Sequence, residues 1–538
     1  MFNVEETLSK LSVIQKIKLL TGLGWWHTEP IEEYGIPSMR MSDGPNGVRG
    51  TRFFNGVPSS CFPSSTGLGA SFDIDLAYKI GVALGEECRA KGCHILLGPT
   101  VNTQRSPLGG RSFESFAEDP TLNGLIAAAY INGLQSKGVA ATIKHFVAND
   151  QEFERFSISS DVSERALREI YLKPFQLALK HSDPWALMTS YNRVNGVHVS
   201  EDPRLLDDIL RKEWGFKGCL IMSDWIGVYS TAESIKAGVS LEMPGPSVMR
   251  GKAVERCLAG QKLFPSDIDN RAREVLELLQ KAYASGIPFE APEEGVDTPE
   301  LRQLLRDAAA DSIVLLKNDK NLLPLTSESN IKSIAVIGPN AKYSMTSGGG
   351  SARLLESYTV SPLQGIDAGA KELGMAVKHA VGATTHKYVP LIDGYMSLPD
   401  GSGNGALIEF WNESPADNFA TAEVSLTDHL KPCAWSCTTK GSNCVLLDGI
   451  YTTIFTPAES GTHEFSLTLA GRGNLFFDDK LIIDLSTAAP LGDYFMGLGT
   501  ADIKVQVEGL KASQGYKLEV RASNHEYIKQ VPIIPNWV

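Results

Sequence analysis

Residues 139–146 read VAATIKHF, an apolar run that ends on the polar pair Lys144-His145. Three other runs have the same texture: CHILLG at 93–98, WALMTS at 185–190 and GCLIMS at 218–223. Helical segments separate them, and strands that alternate with helices predict parallel strands in a (β/α) barrel or a doubly wound sheet. The pattern runs from Ile36 to about residue 285, so residues 1–285 are assigned to the first domain. The Pro- and Glu-rich stretch that follows, IPFEAPEEGVDTPEL, makes 286–300 a linker. Beyond it, LRQLLRDAAADSIVLLKN predicts a helix running into a strand, and IKSIAVIGPNA a buried strand ending in a turn. Residues 301–385 therefore read as part of a second α/β unit, with about three βα elements, fewer than a closed sheet usually has. From 386 to 538 the texture becomes short strands such as GIYTTIFTP, GTHEFSLTLAG and YKLEVRAS between Gly, Asn and Asp turns, which predicts an inserted β-sandwich. The fold class expected is an α/β multidomain protein.

With 538 residues the chain is long enough for several cores. Lys plus Arg number 50 against 63 Asp plus Glu, a net charge of −13 that argues against a nucleic-acid partner. No apolar run approaches the ~20 residues of a membrane span. Eight cysteines are too sparse for a disulfide scaffold. Cys61, Cys88, Cys93, Cys219 and Cys257 read as buried thiols. Cys433, Cys437 and Cys444 cluster in a polar stretch, open to one disulfide, a zinc site short of a ligand, or three loop thiols. The N-terminal stretch carries acids early and lacks the basic flank, apolar core and small-residue cleavage site of a signal peptide, so the expected location is cytoplasmic. Secretion by a non-classical route, or from a missing N-terminus, is the alternative; the sequon Asn412-Glu413-Ser414 favours it weakly. Homo-oligomerisation is left open.

The polar residues able to do chemistry fall just past the predicted strands. Asp43 follows SMRM, Arg111 lies in the loop after CHILLGPTVN, Lys144 and His145 end VAATI, Tyr191 follows ALMTS and Asp224 ends CLIMS. Strand ends on the carboxyl side are where a (β/α) barrel builds its active site. Taken singly, Asp43 reads as a turn residue, His145 as a core histidine, Arg155 as a solvated loop charge and Trp225 as a core aromatic; the ensemble carries the argument. Carboxylates, cations and rings together suit a ligand with many hydroxyls and apolar ring faces, that is, a sugar. Neither a GxxxxGK[ST] loop nor a GxGxxG fingerprint occurs, so no nucleotide cofactor is indicated, and no cofactor or metal is assigned.

The motifs KHFVAND, MTSYNRVNG, GCLIMSDW and AGVSLEMPGP resemble glycoside hydrolase family 3, particularly its β-glucosidases of fungal and yeast type. The resemblance implies a TIM-like (β/α)-barrel domain, an α/β sandwich domain and an inserted β-sandwich of the protective-antigen type. It implies retaining, exo-acting hydrolysis of β-glucosides and oligosaccharides, as in cellulose degradation. It carries Asp224 over as the nucleophile, and Asp43, Arg111, Lys144, His145, Met188, Tyr191 and Trp225 as pocket residues, with Arg49 and Arg155 less closely matched. Lys144 and Arg111 are expected to hold the Asp224 pKa down. Asp43 and Lys144 are expected at a solvent-reaching rim.

In the family's β-glucosidases the acid/base Glu comes from sequence after the inserted sandwich, and no residue here takes that role. The chain therefore reads as C-terminally truncated, and the alternative function is a catalytically incomplete carbohydrate-binding fragment. The family's N-acetylhexosaminidases carry an Asp–His dyad after KHF, but the loop at 147–166 has no histidine. An aldolase using Lys144 as a Schiff base is disfavoured because a Lys beside several acids stays protonated. Asp478-Asp479 reads either as a calcium-binding pair or as a two-residue hairpin turn.

Overall fold

The computed structural model describes residues 3–52, 56–216, 218–384, 389–411, 426–430, 448–469, 471–487, 490–492 and 499–523. Cys433, Cys437 and Cys444, the sequon at Asn412 and the C-terminal stretch from 526 lie outside them. Two compact units divide the chain, Met1–Gly382 and Ala383–Val538.

In the first unit the strands Met41–Asp43, Ile95–Leu97, Ala140–Phe146, Ala186–Thr189 and Leu220–Met222 pair in parallel in that order. Backbone bonds carry the ring onward. Ser223 N–H donates to Leu241 O, Glu242 N–H to Leu20 O and Gly22 N–H to Glu242 O. Gly22–Leu23 then pairs antiparallel with His27–Thr28, and Met41 N–H returns to Trp26 O. The barrel thus closes on its first strand through an antiparallel hairpin.

Side-chain alternation splits each strand between two cores. Met41, Ile95, Leu97, Ala140, Met188, Leu220 and Met222 belong to one apolar cluster; Leu96, Ala141, Ile143, Leu187 and Ile221 belong to another with the surrounding helices. Aspartates start two of those helices. Asp73 accepts the Asp75 and Leu76 N–H groups ahead of Ile74–Ala90, and Asp119 accepts those of Thr121 and Leu122 ahead of Pro120–Gln135. The helix Pro265–Ser285 ends the barrel, and the stretch after it is pinned to the barrel rather than free: Glu293 accepts from Thr51 N–H and Oγ1–H, and Ala291 O accepts from Arg40.

Helix Pro299–Asp311 buries Ala308 in the outer barrel core. A single βαβ unit follows, in which Ser333–Ile337 pairs in parallel with Ala376–Ala380 across helix Pro362–Glu372. The strand expected at IVLL, 313–316, does not form: the run pairs with no other strand, Ile313 N–H turns back to Ala310 O at the helix end, and Leu316 is 91% exposed. Of the five thiols expected to be buried, Cys88, Cys93 and Cys219 are, while Cys61 and Cys257 are half-buried.

The second unit sets a sheet containing Ala406–Trp411, Asp448–Phe455, Tyr516–Ser523, Arg472–Phe477 and Lys480–Leu485 beside the antiparallel pair Gly461–Leu467 and Ile503–Leu510. Phe455, Phe465, Leu475, Phe477 and Leu518 fill the space between them. Asp478 and Asp479, at φ 44° and 64°, form the two-residue turn. One oxygen of each is taken by Lys517, Asp478 Oδ1 by its N–H at 2.8 Å and Asp479 Oδ1 by its ammonium at 2.7 Å. Among the described residues no group of three or more His, Cys, Asp or Glu side chains is placed to hold a metal, and no helix is long and apolar enough to cross a membrane.

The two helices Ile74–Ala90 and Pro120–Gln135 touch backbone to backbone, since a Cβ on Gly133 would lie 2.2 Å from Tyr78 O. Gly133→Ala should therefore destabilise by about 1–3 kcal/mol although Ala favours helix. Gly369→Ala, with open space around it in helix Pro362–Glu372, should stabilise by roughly 0.5–1 kcal/mol. Urea unfolding midpoints of the two variants check the opposite signs.

Candidate active site

Strand parity sets the site. Met41 and Met222 point into the barrel, so Asp43 and Asp224, each two residues on, emerge on the same inward side at the carboxyl end. Lys144 shares that parity with Ala140. The Lys144 ammonium donates to Asp43 Oδ1 at 2.8 Å, and Gly44 N–H donates to the same oxygen at 2.9 Å. Burial pushes the Asp43 carboxyl up, but the charges of Lys144 and Arg49 outweigh it and hold the group well below the usual carboxylate range. The pair is not at a wet rim: Lys144 is 1% and Asp43 5% exposed.

The two oxygens of Asp224 are unlike. Oδ1 accepts from the Tyr191 hydroxyl at 2.9 Å and from Trp225 N–H at 2.7 Å. Oδ2 is buried and accepts no hydrogen bond, with His145 Nε2 at 3.5 Å and Arg111 Nη1 at 4.0 Å. Burial raises the Asp224 pKa, against the pull of Arg111, Arg155 and Lys144. This reverses the expected sign because full burial outweighs the three cations, each of which is also committed to another carboxylate. Arg111 binds Glu114 through two bonds of 2.9 Å, Arg155 binds Glu152 at 2.8 Å, and Lys144 binds Asp43.

His145 has one ring nitrogen, Nδ1, 3.3 Å from Asn102 Oδ1. Burial and the charges of Arg111, Lys144 and Arg155 hold the ring well below the usual histidine pKa, so it is neutral and its approach to Asp224 is not an ion pair. The Tyr191 ring lies under the Arg155 guanidinium at 4.8 Å and against Phe156 at 4.7 Å. Burial and the Asp224 charge push the Tyr191 hydroxyl well above its ordinary pKa, so it stays a donor.

Trp225 donates through Nε1 to Trp25 O at 3.1 Å and stacks obliquely on Trp26 at 5.4 Å. Arg49 lies 4.5 Å over the Trp26 ring and donates to Ser351 O at 3.0 Å, which ties the SGGGS loop at 347–351 to the barrel end. Met188 lies in the apolar cluster of the barrel interior that also holds Trp225.

The structure thus brings Asp43, Arg49, Arg111, Lys144, His145, Arg155, Tyr191, Asp224 and Trp225 to one barrel end. Sequence reasoning missed Glu114 and Glu152, whose three-residue spacing to Arg111 and Arg155 was the available signal. It also missed Trp25 and Trp26, adjacent in GWWHTEP, and Asn102 at the end of CHILLGPTVN.

Lys144→Met should cost about 3–5 kcal/mol of stability, the usual penalty for leaving a buried charge without its partner. The double variant Lys144→Met/Asp43→Asn should recover most of that loss. Urea unfolding of the single and double variants measures the coupling; additive effects would contradict a tight buried pair.

Residues 27–278 match the model of the glycosyl hydrolase family 3 N terminal domain, and residues 313–503 match that of the family 3 C-terminal domain. A probable β-glucosidase I of Aspergillus flavus is 46% identical over 525 residues, covering 96% of this chain and 60% of the relative. A probable β-glucosidase J of Aspergillus fumigatus is 47% identical over 518 residues, covering 93% and 59%. The crystal structure of a β-glucosidase from Kluyveromyces marxianus in complex with glucose superposes with a TM-score of 0.86 at 41% identity, covering 98% of this chain and 64% of that one. The chain spans about 60% of the length of the curated relatives it matches.

Proposed function

Because the chain belongs to glycoside hydrolase family 3, we propose that the protein is a retaining, exo-acting β-glucosidase that removes terminal non-reducing β-D-glucosyl residues from oligosaccharides and glucosides, with Asp224 as its nucleophile. The observation that carries the reading is the inequivalence of the Asp224 oxygens. Two donors fix Oδ1, and Oδ2 accepts no hydrogen bond beside His145 Nε2 and Arg111 Nη1. In a retaining mechanism that oxygen attacks the anomeric carbon as the glycosidic bond breaks, and water later cleaves the glycosyl ester. A second carboxyl group protonates the departing oxygen. The proposal puts none of Asp43, Glu114 and Glu152 in that role, since each is bound to a cation.

In this reading the charges of Arg111, Arg155 and Lys144 around Asp224 lie beside the sugar, and Trp225 next to Asp224 offers it an aromatic ring. All the relatives and structures compared above are β-glucosidases, which supports turnover over a fragment that only binds carbohydrate.

Proton NMR of the first-formed sugar should show the β anomer; the α anomer would exclude retention. Asp224→Ala should lose several orders of magnitude in kcat, and a 2-deoxy-2-fluoro glucoside should label Asp224 on peptide mapping. A label on any other residue would displace Asp224 from the nucleophile's role.

The pH profile gives a separate check. The nucleophile acts ionised, so kcat/KM falls as pH drops through its pKa, and burial sets that limb above the ordinary Asp value of ~4. Tyr191→Phe removes a donor that favours the ionised form, so the acid limb should move to higher pH. A limb that stays in place or moves down would show that Asp224 does not set it.

A further inference from the structure

The Asn102 amide is oriented without ambiguity. Its Oδ1 accepts the His145 backbone N–H at 3.0 Å, and its Nδ2 donates to the His145 carbonyl at 2.9 Å. Swapping oxygen and nitrogen would set donor against donor and acceptor against acceptor. The same Oδ1 lies 3.3 Å from His145 Nδ1. A carbonyl oxygen only accepts, so the hydrogen of that contact belongs to Nδ1. A neutral imidazole has one N–H, and burial among Arg111, Lys144 and Arg155 keeps this ring neutral. Nε2 is then a bare lone pair. It is buried, accepts no hydrogen bond, and faces Asp224 Oδ2, which is also buried and without a partner, across 3.5 Å.

We propose that Asn102 is a positioning residue that locks His145 in the Nδ1–H tautomer, so that two bare acceptors, His145 Nε2 and Asp224 Oδ2, face each other at the barrel end and select a ligand hydroxyl that can donate there. The selection of a hydroxyl rests on the glucoside reading above; the tautomer lock does not. A hydroxyl supplies the hydrogen that two facing acceptors lack. An ether oxygen or a fluorine at the same ring position has none to give and adds a third acceptor. The opposite tautomer would aim Nε2–H at Oδ2 and occupy the oxygen that the proposed mechanism needs free. Asn102 thus acts on Asp224 through His145, without touching it.

The test is nitrogen NMR of the full chain labelled with 15N-histidine, in which a protonated and a bare ring nitrogen differ widely in shift. Loss of one signal pair in His145→Gln assigns the ring. At neutral pH without ligand, Nδ1 should be protonated and Nε2 bare; hydrogen on Nε2, or on both nitrogens, overturns the proposal. Asn102→Asp keeps an acceptor for Nδ1–H and should keep Nδ1 protonated, whereas Asn102→Leu should let the hydrogen move to Nε2. Should Asn102→Leu not fold, the wild-type spectrum still decides. Glucose should then shift Nε2 far more than Nδ1. Among monodeoxy- and monofluoroglucoses, one ring position should show a loss of affinity of about threefold to tenfold, the worth of one net hydrogen bond. An Nδ1–H ring that saturating glucose leaves unmoved would keep the lock and sink the glucoside reading.

Discussion

A carboxylate withdrawn from water must be stabilised by charge or by hydrogen bonds, and the barrel end is organised around meeting that demand unequally. Asp43 receives the Lys144 ammonium directly and is held ionised. Glu114 and Glu152 receive Arg111 and Arg155. Asp224 is given two neutral donors on one oxygen and only the proximity of cations already bound elsewhere. Its charge is therefore tolerated without being neutralised. A cation seated on Oδ2 would lower the raised pKa but would occupy the lone pair that the proposed attack needs. Distance from Arg111 at 4.0 Å keeps electrostatic support while leaving the oxygen open.

This division explains what the sequence made legible and what it hid. The parallel strands were readable because VAATIKHF, WALMTS and GCLIMS are short apolar runs between helices, and the site followed from the polar residues at their ends. The sandwich was readable from short strands and turn residues, with Asp478-Asp479 resolving as a turn once Lys517 is seen to take both acids. The sign of the Asp224 shift was not readable, because it depends on how deep the carboxylate lies and on whether Arg111 and Arg155 are already bound, and both are tertiary facts. Nor was the failure of IVLL to become a strand. Its four residues satisfy strand composition, yet a strand exists only where a neighbouring backbone accepts its hydrogen bonds. Asn102 gave no signal of its own, since an Asn in a loop after a strand reads as turn chemistry.

Tyr191 shows how the demand of one carboxylate spreads through the fold. Its hydroxyl is spent on Asp224, its ring is covered by Arg155 and Phe156, and its carbonyl accepts from the Tyr229 hydroxyl at 3.2 Å. A phenol already held between Arg155 and Phe156 loses little freedom when it donates, so its bond to Asp224 costs little ordering. The cation over the ring also offsets part of the charge that burial would otherwise penalise.

The neutrality of His145 completes the argument. An imidazolium 3.5 Å from Asp224 Oδ2 would make the carboxylate a stable ion pair and a poor nucleophile. Three nearby cations and full burial exclude that charge, so the ring contributes shape and a lone pair instead of a positive field. The positive field comes from guanidinium and ammonium groups tied to other carboxylates, which cannot move in to quench Asp224 without leaving a buried acid behind. The openness of Oδ2, which the proposed nucleophile's role requires, is in this sense enforced by the neighbouring ion pairs: each one keeps a cation close enough to support the charge and too committed to neutralise it.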